Sequence, residues 1–302
     1  MAVYNGKSYV RHAIESILSQ TFVDFELILI EDGSTDETPL LLREYDDPRI
    51  RLIENGQNIG LTRSLNRGIR AAGGEFIARQ DADDYSLPKR LARQVSYLDT
   101  HPQVGLVGSG SRWIDQEGNK LHDWQPMTDP VDLHQTLLYS IPFLHGTFMF
   151  RRQCLADLDG GYNEAFPVAQ DCDLLLRLSD KWDVANYAEI LYVHRLHKDT
   201  VTANCESEQL RCLEIAQQAA IRRRLAYGWR RLGLSKATAP EWVFAMERRG
   251  LAQRYVWWSA AARQHSRGFA LQFLIIALLL DPTTSEIWHY IAGIAKRKTR
   301  KS

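Results

Sequence analysis

Three carboxylates stand within four positions of the segment RQDADD, which follows the apolar run FIA; they are Asp81, Asp83 and Asp84. Carboxylates this close repel one another, so we expect a positive partner. Two aspartates with one residue between them can offer oxygen ligands to a hard divalent cation, and a bound diphosphate supplies further oxygens. A solvated acidic turn is the other interpretation, and the residue types alone leave both open.

Apolar periodicity around this segment predicts alternating helices and strands. The predicted helices lie near residues 8–18, 40–45 and 61–72, and the predicted strands near 25–30, 49–53 and 75–79. This order predicts an α/β fold with a mostly parallel sheet flanked by helices. Ligands of such sheets bind at the carboxyl ends of the strands. Asp32 and the three carboxylates both follow predicted strands, so we expect them to face one crevice.

The composition argues against several classes of protein. Lysine plus arginine equals aspartate plus glutamate, at 37 each in 302 residues, which is not the basic surface of a general nucleic-acid binder. The four cysteines form no CxxC pair and do not cluster with histidine. Neither a zinc site nor a disulfide framework is therefore indicated, and a reducing cytoplasm fits best.

The last hundred residues differ in character from the rest. From about residue 203 the chain is rich in Leu, Ala, Arg and Trp at helical spacing, so we predict one domain at 1–202 and a helical region with a basic tail at 203–302. The tail KRKTRK carries five cations; a solvated tail and contact with an anionic membrane are both open. No signal peptide is apparent at the start. The apolar run FALQFLIIALLL has 12 residues, whereas a bilayer span needs about 20. These features predict a cytoplasmic protein, with peripheral contact at the inner face of the plasma membrane as an option.

Longer stretches of the sequence carry a family resemblance. AVYNGKSYVRHAIESILSQTFVDFELILIEDGSTDET and NIGLTRSLNRGIRAAGGEFIARQDADD resemble the amino-terminal half of family 2 glycosyltransferases with the GT-A fold, of the bacterial cell-surface polysaccharide type. HGTFMFRR, GGYNEAFPVAQDCDLLLRL and HRLH resemble the acceptor half of that family. The resemblance covers roughly residues 1–202. It implies an inverting transferase, dependent on Mn²⁺ or Mg²⁺, that moves a sugar from a UDP- or dTDP-sugar to a glycan or lipid-linked acceptor.

The resemblance also implies which residues bind the nucleotide. Asp32, in EDGS, would accept a hydrogen bond from the base, since a carboxylate suits the imide N–H of uracil or thymine. The turn that contains Ala2, Tyr4 and Asn5 would form a wall of the same pocket. Asp81 would contact the nucleotide as the first member of the family's DxD pair.

Metal, sugar and acceptor residues follow from the same resemblance. Asp83, the second member of the DxD pair, would contact the metal directly, with Asp81 and His197 as further ligands. Asp84 and Arg63 would contact the sugar. Asp171 would be the general base that takes the proton from the acceptor hydroxyl.

Structural roles compete with these assignments. Asp171 and Asp173 precede LLLRL, so either is also explained as an acidic residue in the first turn of a helix, favoured by the helix dipole. His145 and His194 are interpreted as structural, because histidine often satisfies a local backbone partner.

The sequence departs from the family pattern at two places. An apolar strand normally precedes the Pro-x-Tyr-Asn turn; here Ala2 stands at the proline position and the strand is missing, so we expect an in-frame apolar strand upstream. Gln170 replaces the glutamate common beside the base. The alternative function is therefore a truncated, non-catalytic nucleotide-sugar-binding or scaffold protein. A nucleotidyltransferase is disfavoured, because no glycine-rich basic loop lies near the start.

Overall fold

A computed structural model describes the chain over residues 1–129, 140–158, 160–197 and 205–231, and at positions 133, 136, 137, 274, 275, 278, 283, 285, 287 and 288. The chain divides into two compact units, Met1–Gln135 with Pro142–Ala216 and Thr136–Ile141 with Gln217–Ser302. Most of the predicted helical region and the whole basic tail lie outside the described residues. The predicted boundary at residue 202 therefore stays a prediction.

The described elements follow the predicted alternation through the first 80 residues. In chain order the elements are β1 Ala2–Val3, α1 Val10–Leu18, β2 Leu27–Glu31, α2 Thr38–Arg43, β3 Ile50–Glu54, α3 Leu61–Ala71, β4 Phe76–Ala78, β5 Tyr85–Ser86, α4 Arg90–Thr100, β6 Val104–Ile114, β7 Lys120–Trp124, β8 Met149–Arg151, α5 Gln170–Leu178, β9 Asp183–Arg195 and α6 Glu206–Arg231. Two 3₁₀ helices, His145–Thr147 and Arg152–Asp157, flank β8. Among the described residues, no helix combines the length and apolar character that crossing a bilayer requires.

The first sheet is parallel, as predicted. Its strand order is β1-β2-β3, and Leu27 to Glu31 of β2 pair in register with Ile50 to Glu54 of β3. The apolar face of α1, which includes Val10, Ile14 and Ile17, packs with Leu27 and Leu29 in one buried cluster. Burial of this apolar surface is the main stabilising contribution of the layer.

The second sheet is mixed, so the expectation of a mostly parallel sheet applies to the first sheet only. Its order is β4-β8-β6-β9-β5, with β7 beside β6. Of these pairings, β6 with β9 is parallel, while β4 with β8, β6 with β8, β6 with β7 and β5 with β9 are antiparallel. The antiparallel pairs bring segments from the second half of the sequence beside β4 and β5.

The first strand is short rather than missing, which corrects the expectation from the sequence. Ala2 and Val3 pair in parallel with Ile30 and Glu31 of β2. The amine of Met1 donates a hydrogen bond to the carbonyl oxygen of Ile28 at 2.9 Å. Ala2 and Val3 belong to the sheet because their backbone pairs with β2, although the strand has no longer apolar run.

Candidate active site

The acid loop, residues 81–84, lies between β4 and β5, and each of its carboxylates has a partner within the protein. The pairs are Arg79 with Asp81, His197 with Asp83 and His194 with Asp84. β5 pairs antiparallel with β9, and this pairing brings both histidines to the loop from more than 100 positions away in sequence. The protein itself therefore supplies the positive partners that the cluster requires.

Asp81 contacts two residues of the protein, although its side chain is 28% exposed. The guanidinium of Arg79, which is itself buried, contacts its Oδ1, and the hydroxyl of Tyr192 lies 3.5 Å from its Oδ2. Burial raises the pKa of Asp81, but the charges of Arg79, His145 and His194 together outweigh burial, so the pKa lies below its ordinary value. In the structure its oxygens contact Arg79 and Tyr192, and the predicted metal contact of Asp81 stays a prediction.

Asp83 and His197 meet as the resemblance implies. The Nε2 atom of His197 lies 2.9 Å from Oδ2 of Asp83, whose side chain is 33% exposed. The ring of His197 also lies against Tyr9, with 5.1 Å between ring centroids. Two atoms that can ligate a metal are therefore already adjacent, and Asp83 remains accessible from solvent.

Asp84 is buried, and both of its oxygens are engaged. The backbone N–H of Arg195 donates to Oδ1 at 2.7 Å, and Nδ1 of His194 lies 3.0 Å from Oδ2. Burial raises the pKa of Asp84 to about 6, although His194 opposes this. These contacts connect the acid loop to the end of β9, and the predicted sugar contact of Asp84 stays a prediction. The structural interpretation of His194 agrees with this contact.

Arg195 adds a second attachment between β9 and the loops around it. Its guanidinium donates to the carbonyl oxygen of Asp83 at 3.3 Å and to that of Gln116 at 3.1 Å. The same group lies 4.8 Å from the ring centroid of Tyr9. Arg63, the other predicted sugar contact, lies on α3 and forms an exposed ion pair with Glu164 at 3.4 Å.

Asp32 follows β2, and hydrogen-bond donors surround its carboxylate. Its carboxylate accepts hydrogen bonds from Nδ2 of Asn55 at 2.7 Å, from the N–H of Ile59 at 2.9 Å and from that of Gly60 at 3.1 Å. A carboxylate has about four lone-pair positions, so about one remains for a ligand. Asp32 is 3% exposed, so a ligand that binds its carboxylate must reach into the pocket.

The turn after β1 lies beside this pocket, as expected. The N–H of Asn5 donates to Oγ of Ser34 at 3.0 Å, and Oδ1 of Asn5 accepts from the N–H of Thr35 at 2.8 Å. Asn5 has a φ of 51°, a left-handed conformation that asparagine tolerates better than most residues. Tyr4 is 49% exposed, so its ring is available to a bound base.

Asp171 and Asp173 occupy the first turn of α5 but differ in their partners. Oδ2 of Asp173 is 2.7 Å from Nε of Arg177, and Asp173 is buried. Asp171 is half-buried, and its charge helps to raise the pKa of the Tyr162 hydroxyl, which burial already raises. The interpretation as a structural acid of the first turn therefore fits Asp173 better than Asp171.

His145 and Tyr162 connect Asp171 electrostatically to the acid loop. Nε2 of His145 lies 2.8 Å from the hydroxyl of Tyr162. Burial lowers the pKa of His145, and the charges of Asp171 and of Asp81 both oppose that shift. Asp171 and Asp81 thus act on the same imidazole, although about 90 positions separate them in the sequence.

The side chains of the site could hold a divalent cation only together with oxygen atoms of a bound molecule. Over the part of the chain that the structure describes, no group of three or more His, Cys, Asp or Glu side chains is arranged to hold a metal ion. Asp83 and His197 supply two adjacent ligand atoms, an oxygen and an imidazole nitrogen. Hard cations such as Mg²⁺ are commonly bound by one or two carboxylates plus substrate phosphates, so these residues fit a cation that arrives with a diphosphate.

Sequence reasoning missed several residues of the site. Arg79 and Tyr192 contact Asp81, Asn55 donates to Asp32, and His145 contacts Tyr162. The charge of Asp171 acts on the pKa of both His145 and Tyr162. The arginine stands two positions before Asp81 in RQDADD, so the segment itself contained the signal. The other contacts come from distant segments, and no local pattern indicated them.

The comparisons with known proteins agree with this geometry. The family model described as glycosyl transferase family 2 matches residues 1–158. The protein EpsE of Bacillus subtilis (strain 168), named as a glycosyltransferase, is 36% identical over 205 residues, which are 66% of this chain and 72% of EpsE. The O-antigen biosynthesis glycosyltransferase WbnJ of Escherichia coli is 33% identical over 210 residues, which are 65% of this chain and 78% of WbnJ. The crystal structure of S. aureus TarS 1–349 in complex with UDP-GlcNAc superposes with a TM-score of 0.59 at 15% identity, covering 100% of this chain and 90% of that chain, and shows the likeness of fold.

Proposed function

Because the chain belongs to glycosyl transferase family 2, we propose that it moves a sugar from a UDP- or dTDP-sugar to a glycan or lipid-linked acceptor, with inversion at the anomeric carbon. It is a glycosyltransferase with the GT-A fold; the donor, the acceptor and the metal are the proposal. The observation that carries it is the contact between Asp83, which follows β4 and is 33% exposed, and His197, which follows β9, in the same unit as the Asp32 pocket at the end of β2.

The nucleotide is assigned to the Asp32 pocket. The remaining acceptor position of Asp32 matches the imide N–H that uracil and thymine share, and the exposed ring of Tyr4 offers a surface for stacking. Asn5, which bridges the turn to residues 34 and 35, holds that turn against the pocket. In TarS, crystal structures contain UDP-GlcNAc and UDP, which supports a uridine donor here.

Asp83 and His197 are the residues that would hold Mn²⁺ or Mg²⁺ with the diphosphate. The cation, when bound, stabilises the negative charge that develops on the leaving diphosphate. Asp81 neutralises the buried guanidinium of Arg79, whereas the side chain of Asp83 is 33% exposed beside His197. His194 and Asp84 keep the end of β9, and with it His197, beside the loop.

Asp171 is assigned as the base. A carboxylate on the face of the sugar opposite the diphosphate can take the proton of the acceptor hydroxyl as that oxygen attacks the anomeric carbon. The new carbon–oxygen bond forms on the face opposite the bond that breaks, which gives inversion. Burial lowers the pKa of His145, which favours its neutral form beside Asp171.

The names of two relatives support the proposed acceptor class. WbnJ is named for O-antigen biosynthesis, and AmsE of Erwinia amylovora, 29% identical over 206 residues, is named for amylovoran biosynthesis. These names support a role in cell-surface polysaccharide assembly. The cytoplasmic location and the membrane contact of the basic tail stay predictions, since the tail lies outside the described residues.

A screen of nucleotide sugars for thermal stabilisation tests this proposal. A UDP- or dTDP-sugar should raise the melting temperature in the presence of Mn²⁺ or Mg²⁺ and much less without the cation, because ligands that bind the native state stabilise it. Failure of every nucleotide sugar, with either cation, would overturn the proposal. The second candidate, a non-catalytic binding protein, rests on Gln170 beside Asp171; it predicts the same stabilisation but no hydrolysis of the donor, so a hydrolysis assay separates the two.

A further inference from the structure

Helix α3 buries three polar side chains in its amino-terminal half. They are Thr62, Ser64 and Asn66, in the helix sequence LTRSLNRGIRA. A buried polar group costs free energy unless it has a hydrogen-bond partner. The partners of these three side chains therefore show which parts of the protein α3 holds in place.

The start of α3 is joined to the Asp32 pocket. The N–H groups of Ile59 and Gly60, which precede the helix, both donate to the carboxylate of Asp32. Nδ2 of Asn55 donates to Oγ of Ser64 at 2.8 Å and also to Asp32. The start of α3 is thus fixed relative to the residue to which the nucleotide base is assigned.

Thr62 and Asn66, one helical turn apart, hold a different part of the chain. Residues 160–170, the base segment, lead directly to the proposed base. Oγ1 of Thr62 donates to the carbonyl oxygen of Phe166 at 2.7 Å. Nδ2 of Asn66 donates to the carbonyl oxygen of Tyr162 at 2.8 Å, and Oδ1 of Asn66 accepts from the N–H of the same residue at 2.9 Å. Two buried side chains of α3 therefore make three hydrogen bonds to the backbone of the base segment.

Helix α5 is connected to the same stretch of chain through Arg177. Its guanidinium donates to the carbonyl oxygen of Leu158 at 2.9 Å and to that of Gly161 at 2.8 Å. Its Nε atom forms the ion pair with Asp173 in the first turn of α5. Hydrogen bonds and this ion pair thus run without interruption from α3, through the base segment, to the turn that contains Asp171.

The backbone of the base segment depends on such contacts. Ala169, directly before α5, has a φ of 53°, which is unfavourable for a residue other than glycine. Conformations of this kind persist only where the surrounding structure holds them. Gly161 has a φ of 137°, and a Cβ atom there would lie 2.8 Å from Oδ1 of Asn66. The close approach of α3 to the base segment therefore requires glycine at this position.

We propose that Thr62 and Asn66 are positioning residues for Asp171, so that one helix sets the placement of the base relative to the nucleotide pocket. Both side chains act through the base segment and not on the substrate. Placement matters because an error of about 1 Å in the position of a catalytic group can cost about 10²-fold in rate. The inference rests on the proposed function, which gives Asp171 and Asp32 their roles.

Substitutions of similar size in the full chain test this inference. Thr62→Val removes the hydroxyl that donates to Phe166, whereas Thr62→Ser keeps it. Asn66→Asp replaces the amide donor by an oxygen that repels the carbonyl oxygen of Tyr162. Thr62→Val and Asn66→Asp are the two disruptive variants. Thr100→Val is the matched control, because Thr100 also donates to a backbone carbonyl, within α4.

Hydrogen exchange of the free protein measures whether the first turn of α5 stays in place. The N–H groups of Cys172 and Asp173 donate to the carbonyl oxygen of Ala169. In the two disruptive variants both amides should exchange at least about tenfold faster than in the wild type. The serine variant and the control should match the wild type, and the amide of Leu87, which is bonded to β9, should keep its rate in every variant. Unchanged exchange at Cys172 and Asp173, or equal acceleration at Leu87, would overturn the inference.

The rate of UDP release from a panel of UDP-sugars separates this inference from the proposed function. The two disruptive variants should release UDP about 10- to 100-fold more slowly than the wild type, while the affinity for UDP with Mn²⁺ stays unchanged and the serine variant keeps the wild-type rate. In the Asp171→Asn background the same substitutions should cause little further loss, because they act through that residue. An undiminished further loss there, or a loss of UDP affinity, would overturn the inference. Wild-type UDP release by Asp171→Asn alone would instead overturn the assignment of the base, and hydrogen exchange would still decide whether α3 fixes the first turn of α5.

Discussion

Asp83 differs from the carboxylates on either side of it in the acid loop. Its side chain is 33% exposed, whereas Asp84 is buried against β9 and Asp81 faces a buried arginine. The three aspartates thus have different environments, because their partners differ. Asp83 is thus the most exposed of the three carboxylates, and His197 is its partner.

Replacing Asp83 tests that pair. Asp83→Asn keeps the size of the side chain but removes the charge that a divalent cation needs, so the affinity for UDP in the presence of Mn²⁺ should fall at least about tenfold. Titration calorimetry with and without the cation measures this. Asp46→Asn, at an exposed position, is the control and should leave the affinity unchanged; the same affinity in Asp83→Asn would contradict the metal role.

The two acids in the first turn of α5 allow a matched comparison. Asp171→Asn should lower the rate of sugar transfer by about 10²- to 10⁴-fold with little effect on donor affinity, because the base acts on the acceptor. Asp173→Asn should weaken the ion pair with Arg177 and lower stability, while transfer per folded molecule stays near that of the wild type. Transfer assays and urea unfolding on both variants measure this. Equal turnover in Asp171→Asn and wild type would place the base elsewhere.

The pairing of β5 with β9 places His197, which follows β9, beside the acid loop. Asp84 fastens this connection, since it accepts from the N–H of Arg195 and contacts His194. Asp84→Ala leaves those buried groups without their partner, at a cost of about 1–3 kcal/mol for each unsatisfied group. Urea unfolding should therefore show a lower free energy of unfolding than in Asp46→Ala, and metal-dependent UDP binding should weaken. Unchanged stability would show that Asp84 does not fasten β9.

The elements that the sequence predicted well are those with local periodicity. The first two helices and strands of the parallel sheet repeat apolar residues at spacings that identify them directly. β6, with the sequence VGLVGSGSRWI, has the composition of a loop, yet it is the central strand of the second sheet. A Cβ atom at its Gly108 would clash with Asn186 of β9, so glycine there reflects close packing of neighbouring strands, which single-sequence patterns do not reveal.

For the candidate site, too, local patterns in the sequence predicted the positions of residues but not their contacts. Asp32, the acid loop and the first turn of α5 could be located because each follows or begins a predicted element. Which oxygen faces which partner depends on Arg195, His194 and Tyr192, which lie about 110 positions away along the chain from the acid loop. The assignments of Asp81 to the metal and of Asp84 to the sugar came from the family resemblance and not from local pattern, and they stay predictions.

For the whole molecule, a buried amino terminus makes stability depend on pH. The pKa of the Met1 amine falls from 8.0 to about 5 on folding, so between these values the unfolded chain binds a proton that the folded chain does not. The free energy of unfolding should therefore rise with pH across this window, by about 1.4 kcal/mol per pH unit from this group. Urea unfolding of the chain and of an amino-terminally acetylated form measures it. The acetylated form should lose this part of the slope; identical slopes would contradict the burial of a free amine.

The central claim is that Asp32, Asp83 and Asp171 surround one bound nucleotide and its metal. Paramagnetic broadening by Mn²⁺ measures this directly in isotope-labelled protein. With UDP present, one equivalent of Mn²⁺ should broaden the backbone amide signals of residues 32–35, 81–84 and 171–173, while those of β7 stay sharp. If the signals of residues 171–173 stayed sharp, Asp171 would not lie beside the bound nucleotide. If Mn²⁺ broadened signals remote from the acid loop equally with and without UDP, the predicted metal site would be wrong.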